Sequence, residues 1–203
     1  MPEGEGIQVT FLDQTGAKSV KARISPTVEV KRIIPNIITK MQLPVTAPDG
    51  TPSPSSGRNW PSVARIDAAN SARATLLLSV HLNGYEDASQ KGTEVYYDDT
   101  RPFALRSKRF ATLLQDQLVE QLAKAGYQTR DRGVKATDRA AGAGNSFYLL
   151  GSKAARPSQM PGALSESLFL TNAGDAEKLR DPAVIEAIAQ AHARAVMAYY
   201  VRE

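Results

Sequence analysis

The sequence predicts an α/β fold: a mostly parallel sheet flanked by helices and preceded by a small β-hairpin-plus-helix segment. Three observations carry this. Past residue 60, short apolar runs alternate with helical stripes, the rhythm of strands and helices built around a parallel sheet. One of those runs, ATLLLSV (Ala74 to Val80), is apolar throughout, which suits a strand covered on both faces. Before residue 45 the pattern is different, with two alternating runs around a glycine and then one helical stripe.

In the N-terminal part, IQVTFLD (Ile7 to Asp13) and KSVKARI (Lys18 to Ile24) each alternate apolar and polar residues, and Gly16 lies in the turn between them. After Ser25 and Pro26, Val30, Ile33, Ile34, Ile37, Ile38 and Met41 recur at helical spacing, with Pro35 expected to kink or restart the helix. Two strands and a helix on so short a stretch resemble the opening of a ubiquitin-like β-grasp domain. The stretch LPVTAPDGTPSPSSGRNW mixes prolines with Ser, Gly, Asp and Thr without an apolar period and reads as a linker. The expected organisation is therefore a β-grasp-like segment over 1–45, a linker over 46–60, and an α/β domain over 61–203.

Within that domain, GTEVYY (Gly92 to Tyr97) reads as a second strand. From Pro102 to Ala125, Phe103, Phe110, Leu113, Leu114, Leu118 and Leu122 form one helical stripe, closed by Gly126. SFYLLG (Ser146 to Gly151) and ALSESLFL (Ala163 to Leu170) read as two further strands. Asp181 and Pro182 supply an N-cap and a first-turn proline for a closing helix marked by Ile185, Ile188, Ala189, Val196 and Tyr199. The basic residues around Arg130, Arg132, Lys135 and Arg139 read as a solvated loop, or else as groups that meet an anionic polymer or peptide carboxylates, and Tyr96, Tyr97, Tyr199 and Tyr200 as packing residues, or else as contacts to sugar rings.

Composition narrows the chemistry. The 203 residues hold 25 Lys and Arg against 21 Asp and Glu, a net charge of +4 that favours an anionic polymer without the basic block of a nucleic-acid tail. With no cysteine, disulfides, thiolate zinc sites and a cysteine nucleophile are all excluded. No apolar run approaches the roughly 18 residues of a membrane span, and MPEGEGIQVT lacks the basic start and apolar core of a signal peptide, so a soluble chain without an export address is expected.

Only two imidazoles remain, His81 and His192. His81 follows a buried strand in SVHLNG, at the carboxyl end where open α/β sheets place their ligands. It reads as a metal ligand or base, or else as a hydrogen-bonded loop histidine. Glu166 interrupts the apolar strand ALSESLFL, where an unpaired carboxylate is costly. It reads as a general base or metal ligand, or as an edge-strand residue facing water. His192 falls on the apolar stripe of the last helix, four residues after Ile188, and reads as a core residue.

Taken together, these segments resemble the zinc-dependent N-acetylmuramoyl-L-alanine amidases, a family of cell-wall hydrolases. VARIDAANSARATLLLSVHLNG resembles the family's helix with an Arg and an Asn, followed by a strand ending Ser-x-His-x-Asn; the matching residues are Arg65, Asn70, Ser79, His81 and Asn83. GTEVYY resembles the next strand, Arg132 to Lys135 the Arg-Gly-Val-Lys loop, and PGALSESLFLTNAGDAEKL the Pro-x-x-Leu-x-Glu-x-x-Phe-x-x-Asn segment. The resemblance implies hydrolysis of the amide between N-acetylmuramic acid and the L-alanine of the stem peptide, by a water that zinc activates. It further implies His81 as a zinc ligand, Glu166 as the catalytic glutamate, Asn83, Arg65 and Asn70 as substrate-binding residues, and a cell-wall or periplasmic setting with peptidoglycan as the partner.

The sequence departs from that pattern at the metal. The family's other two protein ligands, a His in a His-Gly motif and a Glu soon after it, normally precede the Arg65 segment, and no histidine precedes His81 here. The first strand, first helix and second strand of the hydrolase are accordingly expected to be missing, and the zinc ligand set to be incomplete. Glu29, Asp49, Asp67 and Glu94 are carboxylates that could be recruited. The alternatives are a catalytically inactive remnant that binds wall fragments, and an interaction protein that captures a protein partner through its N-terminal segment.

Overall fold

The computed structural model describes residues 7–12, 19–24, 60–137, 148–152 and 156–201, with side chains from residue 65 onward. The N-terminal hairpin pairs β1 (Ile7–Leu12) with β2 (Ser19–Ile24) antiparallel, in the register Ile7 to Ile24 and Leu12 to Ser19. The expected helix over 30–41 and the linker lie outside the described residues.

The remaining elements are α1 (Trp60–Ser71), β3 (Leu77–Asn83), β4 (Thr93–Tyr97), α2 (Ala104–Lys124), β5 (Asp131–Ala136), β6 (Gly162–Phe169), α3 (Ala173–Lys178) and α4 (Pro182–Val201). Four strands make one sheet in the order β3, β6, β4, β5. β3 runs parallel to β6 and β4 parallel to β5, but β4 and β6 are antiparallel, so the sheet is mixed at its centre.

Both faces of this sheet are covered. On one, α2 and α4 bring Phe110, Leu114, Leu118, Ala191, Ala195 and Tyr199 against Val95, Ala163 and Leu168. These helical residues recur three and four apart, so each helix turns one stripe toward the sheet. Phe110 is fully buried and meets Tyr199 edge to face, with ring centroids 5.5 Å apart. Phe110→Ala should therefore cost about 3–5 kcal/mol of stability in denaturant unfolding, because transfer and cavity terms add. On the other face a smaller cluster joins Ile66 of α1 to Leu77, Leu149, Leu150, Met160 and Leu164.

Expected helix ends hold. Asp181 accepts from the backbone N–H of Ala183 at 2.9 Å and caps α4, and Gly126, at φ +79°, ends the turn after α2. Two expectations do not. Residues 148–150 of SFYLLG form a turn rather than a strand. Leu149 and Leu150 are consecutive yet both buried in the smaller cluster, and a short apolar run alone does not distinguish these cases. The basic segment around Arg132 and Lys135 is the strand β5, not a solvated loop.

Candidate active site

The smaller apolar cluster ends at Leu164 on β6, and the next residue on that face of the strand is Glu166. β6 is a central strand, with β3 on one side and β4 on the other, so Glu166 is not at an edge. His81 of β3 is its register partner on one side and Glu94 of β4 on the other. Register partners point to the same side of a sheet, so an imidazole and two carboxylates stand in a row across three strands. His81 lies inside β3, not in the loop after it.

Each member of the row has a different environment. Burial pushes the Glu166 carboxyl up, the Glu94 charge adds to this, and its pKa sits at about 7. Its Oε2 is buried with no hydrogen-bond partner among the described residues. Burial and the nearby Arg65 charge push the His81 imidazole down, favouring its neutral form, and its Nε2 shares a hydrogen bond of 2.8 Å with the Ser79 hydroxyl.

Glu94 is the reverse case. Burial pushes its carboxyl up, but hydrogen bonds from Lys135, Arg132 and Tyr96 outweigh this and hold it at about 2. Its Oε1 accepts from Asn83 Nδ2 at 2.8 Å and from the Tyr96 hydroxyl at 2.7 Å, while Oε2 accepts from Arg132 Nε at 2.6 Å and from Lys135. One ionised carboxylate thus joins β3, β4 and β5. Beyond it opens a cavity of about 350 Å³ lined by Asn83, Tyr85, Gln90, Arg132, Lys135 and Phe169 among others.

The structure brings Arg65, His81, Asn83 and Glu166 to this region and sets Asn70 elsewhere. Asn70 Nδ2 donates to the Pro157 carbonyl at 3.1 Å and its Oδ1 accepts from the Gln159 N–H at 2.9 Å, a strap between α1 and the approach to β6. Asp67 pairs with Arg156, and Glu29 and Asp49 lie outside the described residues. His192 is the core residue its position on the helix suggests: its Nδ1 donates to the Ile188 carbonyl at 2.6 Å, and its Nε2 accepts from the Ser165 hydroxyl at 2.7 Å.

Sequence reasoning did not single out Glu94, and it favoured a solvated loop for Arg132 and Lys135 over contact with the wall polymer or the stem-peptide carboxylates. A usable signal was present, since Glu94 interrupts the buried strand TEVYY just as Glu166 interrupts its own. A second buried carboxylate, Asp175, accepts the N–H groups of Gly92 and Phe169 at 2.9 Å each and the Tyr127 hydroxyl. It pins the start of β4 to the end of β6 and so fixes the frame around the site.

The zinc ion implied by the resemblance needs three protein donors. His81 offers a neutral imidazole and Glu166 an unpartnered oxygen, but among the described residues no three His, Asp or Glu side chains group closely enough to hold a metal. His192 is spent in the core, and the chain has no other histidine and no cysteine. These residues do not make a complete zinc site.

Comparison with known proteins places this geometry. The family model described as N-acetylmuramoyl-L-alanine amidase matches residues 30–198, starting inside the segment expected to be separate. N-acetylmuramoyl-L-alanine amidase LytC of Bacillus subtilis (strain 168) is 38% identical over 136 residues, which are 67% of this chain and 24% of that protein. The uncharacterized protein YqiI of the same organism is 36% identical over 136 residues, 67% of this chain and 56% of its own. This chain therefore spans between about a quarter and just over half of these relatives. Among solved structures, the catalytic domain of CwlV, an N-acetylmuramoyl-L-alanine amidase from Bacillus (Paenibacillus) polymyxa var. colistinus, superposes with a TM-score of 0.54 at 25% identity, over 70% of this chain and 66% of that one. The motifs, the fold and the family match agree, and the chain belongs to the N-acetylmuramoyl-L-alanine amidase family.

Proposed function

We propose that this chain is a peptidoglycan hydrolase that cuts the amide between N-acetylmuramic acid and the L-alanine of the stem peptide, on the wall side of the cell, with Glu166 as the proton-handling group. The observation that carries this is the Glu166 carboxyl, half-buried on a central strand, one oxygen unpartnered among the described residues, with a pKa of about 7. A carboxyl poised there is populated in both forms near neutral pH. It can take a proton from water as the oxygen attacks the amide carbon, then return one to the alanine nitrogen as the C–N bond breaks. His81, its neighbour on β3, stays neutral and adds no competing charge. No helix among the described residues is long and apolar enough to cross a membrane.

The test is incubation with purified wall, reading new free α-amino groups and identifying L-alanine as the exposed N-terminus. Muramic acid with a free lactyl carboxyl and alanine-started stems are expected. Release of glycan fragments with stems still attached would refute the reading.

The two-donor set favours a second reading, an amidase-like domain that binds wall without cutting it. Zinc content separates the two. The hydrolase reading expects about one tightly held zinc per chain, with His81→Ala lowering zinc retention well below any His192 variant. A chain that sediments with wall, retains no stoichiometric zinc and releases no amino groups is the binding module.

A further inference from the structure

We propose that Arg132 and Lys135, held in place by Glu94, form a receptor for a carboxylate carried by the stem-peptide residue that follows L-alanine. This rests on the stem peptide being the substrate and adds to that reading a preference for free-acid over amidated stems.

The first support is charge. Glu94 is ionised and only 3% exposed, yet two cations face it, Arg132 at 18% and Lys135 at 32% side-chain exposure. One cation would neutralise the carboxylate. The second leaves a surplus positive charge beside a concave, partly desolvated cavity, where charged hydrogen bonds are stronger than in open water. Glu166 stands one strand away and does not line that cavity.

The second support is unspent donors. Arg132 commits Nε to Glu94 and Nη1 to the Gln90 side-chain oxygen at 3.0 Å, which leaves Nη2 without a partner among the described residues. Lys135 commits one of three ammonium protons, to Glu94. Neither side chain is loose. The Arg132 guanidinium lies 5.0 Å from the centre of the Phe169 ring and the Lys135 ammonium 5.7 Å from that of Tyr96. Rigid cations with open N–H groups present a fork to an incoming carboxylate at little entropic cost.

The third support is reach. β5 lies two strands from β6, about 10 Å at the usual strand spacing, and the long basic side chains fold back across part of it to Glu94. An extended peptide advances about 3.5 Å per residue. With the scissile amide at Glu166, a carboxylate on the second residue of the stem falls within the cavity.

The experiment measures binding and does not depend on cleavage. On a Glu166→Gln background, two synthetic N-acetylmuramoyl peptides are titrated, identical except that the acidic residue after L-alanine carries a free carboxylate or its carboxamide. The carboxylate form should bind about 10-fold tighter, the scale of a charge-assisted hydrogen bond. Lys135→Gln should shrink the preference to under about 2-fold, and Lys135→Arg should restore most of it. Gln90→Glu provides a second variant, since an added carboxylate beside Arg132 neutralises the surplus charge and should abolish the preference on its own. Equal binding of the two peptides, binding of neither, or a preference that survives both charge-removing variants would overturn the proposal. So would displacement of the peptide by inorganic phosphate at equal concentration, which would mark a general anion site. If wall is not cut while the preference is present, the hydrolase reading fails and this one stands.

Discussion

Glu166→Gln is expected to lower stem-amide release by about 10²- to 10⁴-fold, the range a positioned acid and base contributes. The amide keeps the size and most of the packing of the carboxyl but cannot carry the proton between water and the leaving nitrogen. A structural role for Glu166 would give a different outcome, with activity and stability falling together. Here they should part, because the variant removes a carboxyl whose charged form is penalised by burial.

The pH dependence of folding separates the two further. The Glu166 pKa rises from 4.5 to about 7 in the folded protein, so the native state holds its proton over that window while the unfolded chain releases it. Its contribution is present below about pH 4.5 and is lost as pH rises toward 7, by up to about 2–3 kcal/mol after discounting its partial exposure. His81 and His192 act in the opposite direction, since burial lowers both and acid favours their unfolded forms. The comparison that isolates Glu166 is therefore the difference between wild type and Glu166→Gln in chemical denaturation from pH 4.5 to 7. The variant should gain relative stability as pH rises, and a flat difference would contradict the environment assigned to Glu166.

Glu94→Ala is expected to destabilise the fold by about 3–5 kcal/mol, the cost of breaking a buried charge pair from one side. Arg132 and Lys135 would face each other without their carboxylate, Asn83 and Tyr96 would lose their acceptor, and the links from β4 to β3 and β5 would go together. The sign with pH is the reverse of Glu166. The Glu94 pKa falls from 4.5 to about 2, so its contribution is present above about pH 4.5 and is lost as pH drops toward 2. Denaturant midpoints for Glu94→Ala and wild type should thus differ most near neutral pH and converge in strong acid. If they differ by under about 1 kcal/mol at pH 7, the range of an exposed ion pair, Glu94 does not organise the site.

Much of this protein was legible in the linear chain. The stripe Phe110, Leu114, Leu118, Leu122 specified α2 and the face it buries, because side chains three and four apart share one side of a helix. Asp181 with Pro182 marked the start of α4, where a short side chain satisfies an open N–H. A lone acid in ALSESLFL marked Glu166, since an apolar strand does not carry a carboxylate without a reason. These are local rules, readable within one turn or one strand.

What the chain alone left undecided depends on which strands become neighbours. Glu94 lies 72 positions before Glu166 and 38 before Arg132 in the sequence, and nothing in TEVYY says that β4 inserts antiparallel beside β6 with β5 on its far side. That order turns an ordinary strand residue into the acceptor shared by Asn83, Tyr96, Arg132 and Lys135, and turns a basic stretch that reads as solvated into the two cations that face it. It also decides that Leu149 and Leu150 fill a gap beside Ile66 rather than extend a sheet. Periodicity encodes which side of an element is buried, whereas pairing order and register are set by the packing of the whole domain, and the charges of a site acquire their meaning only there.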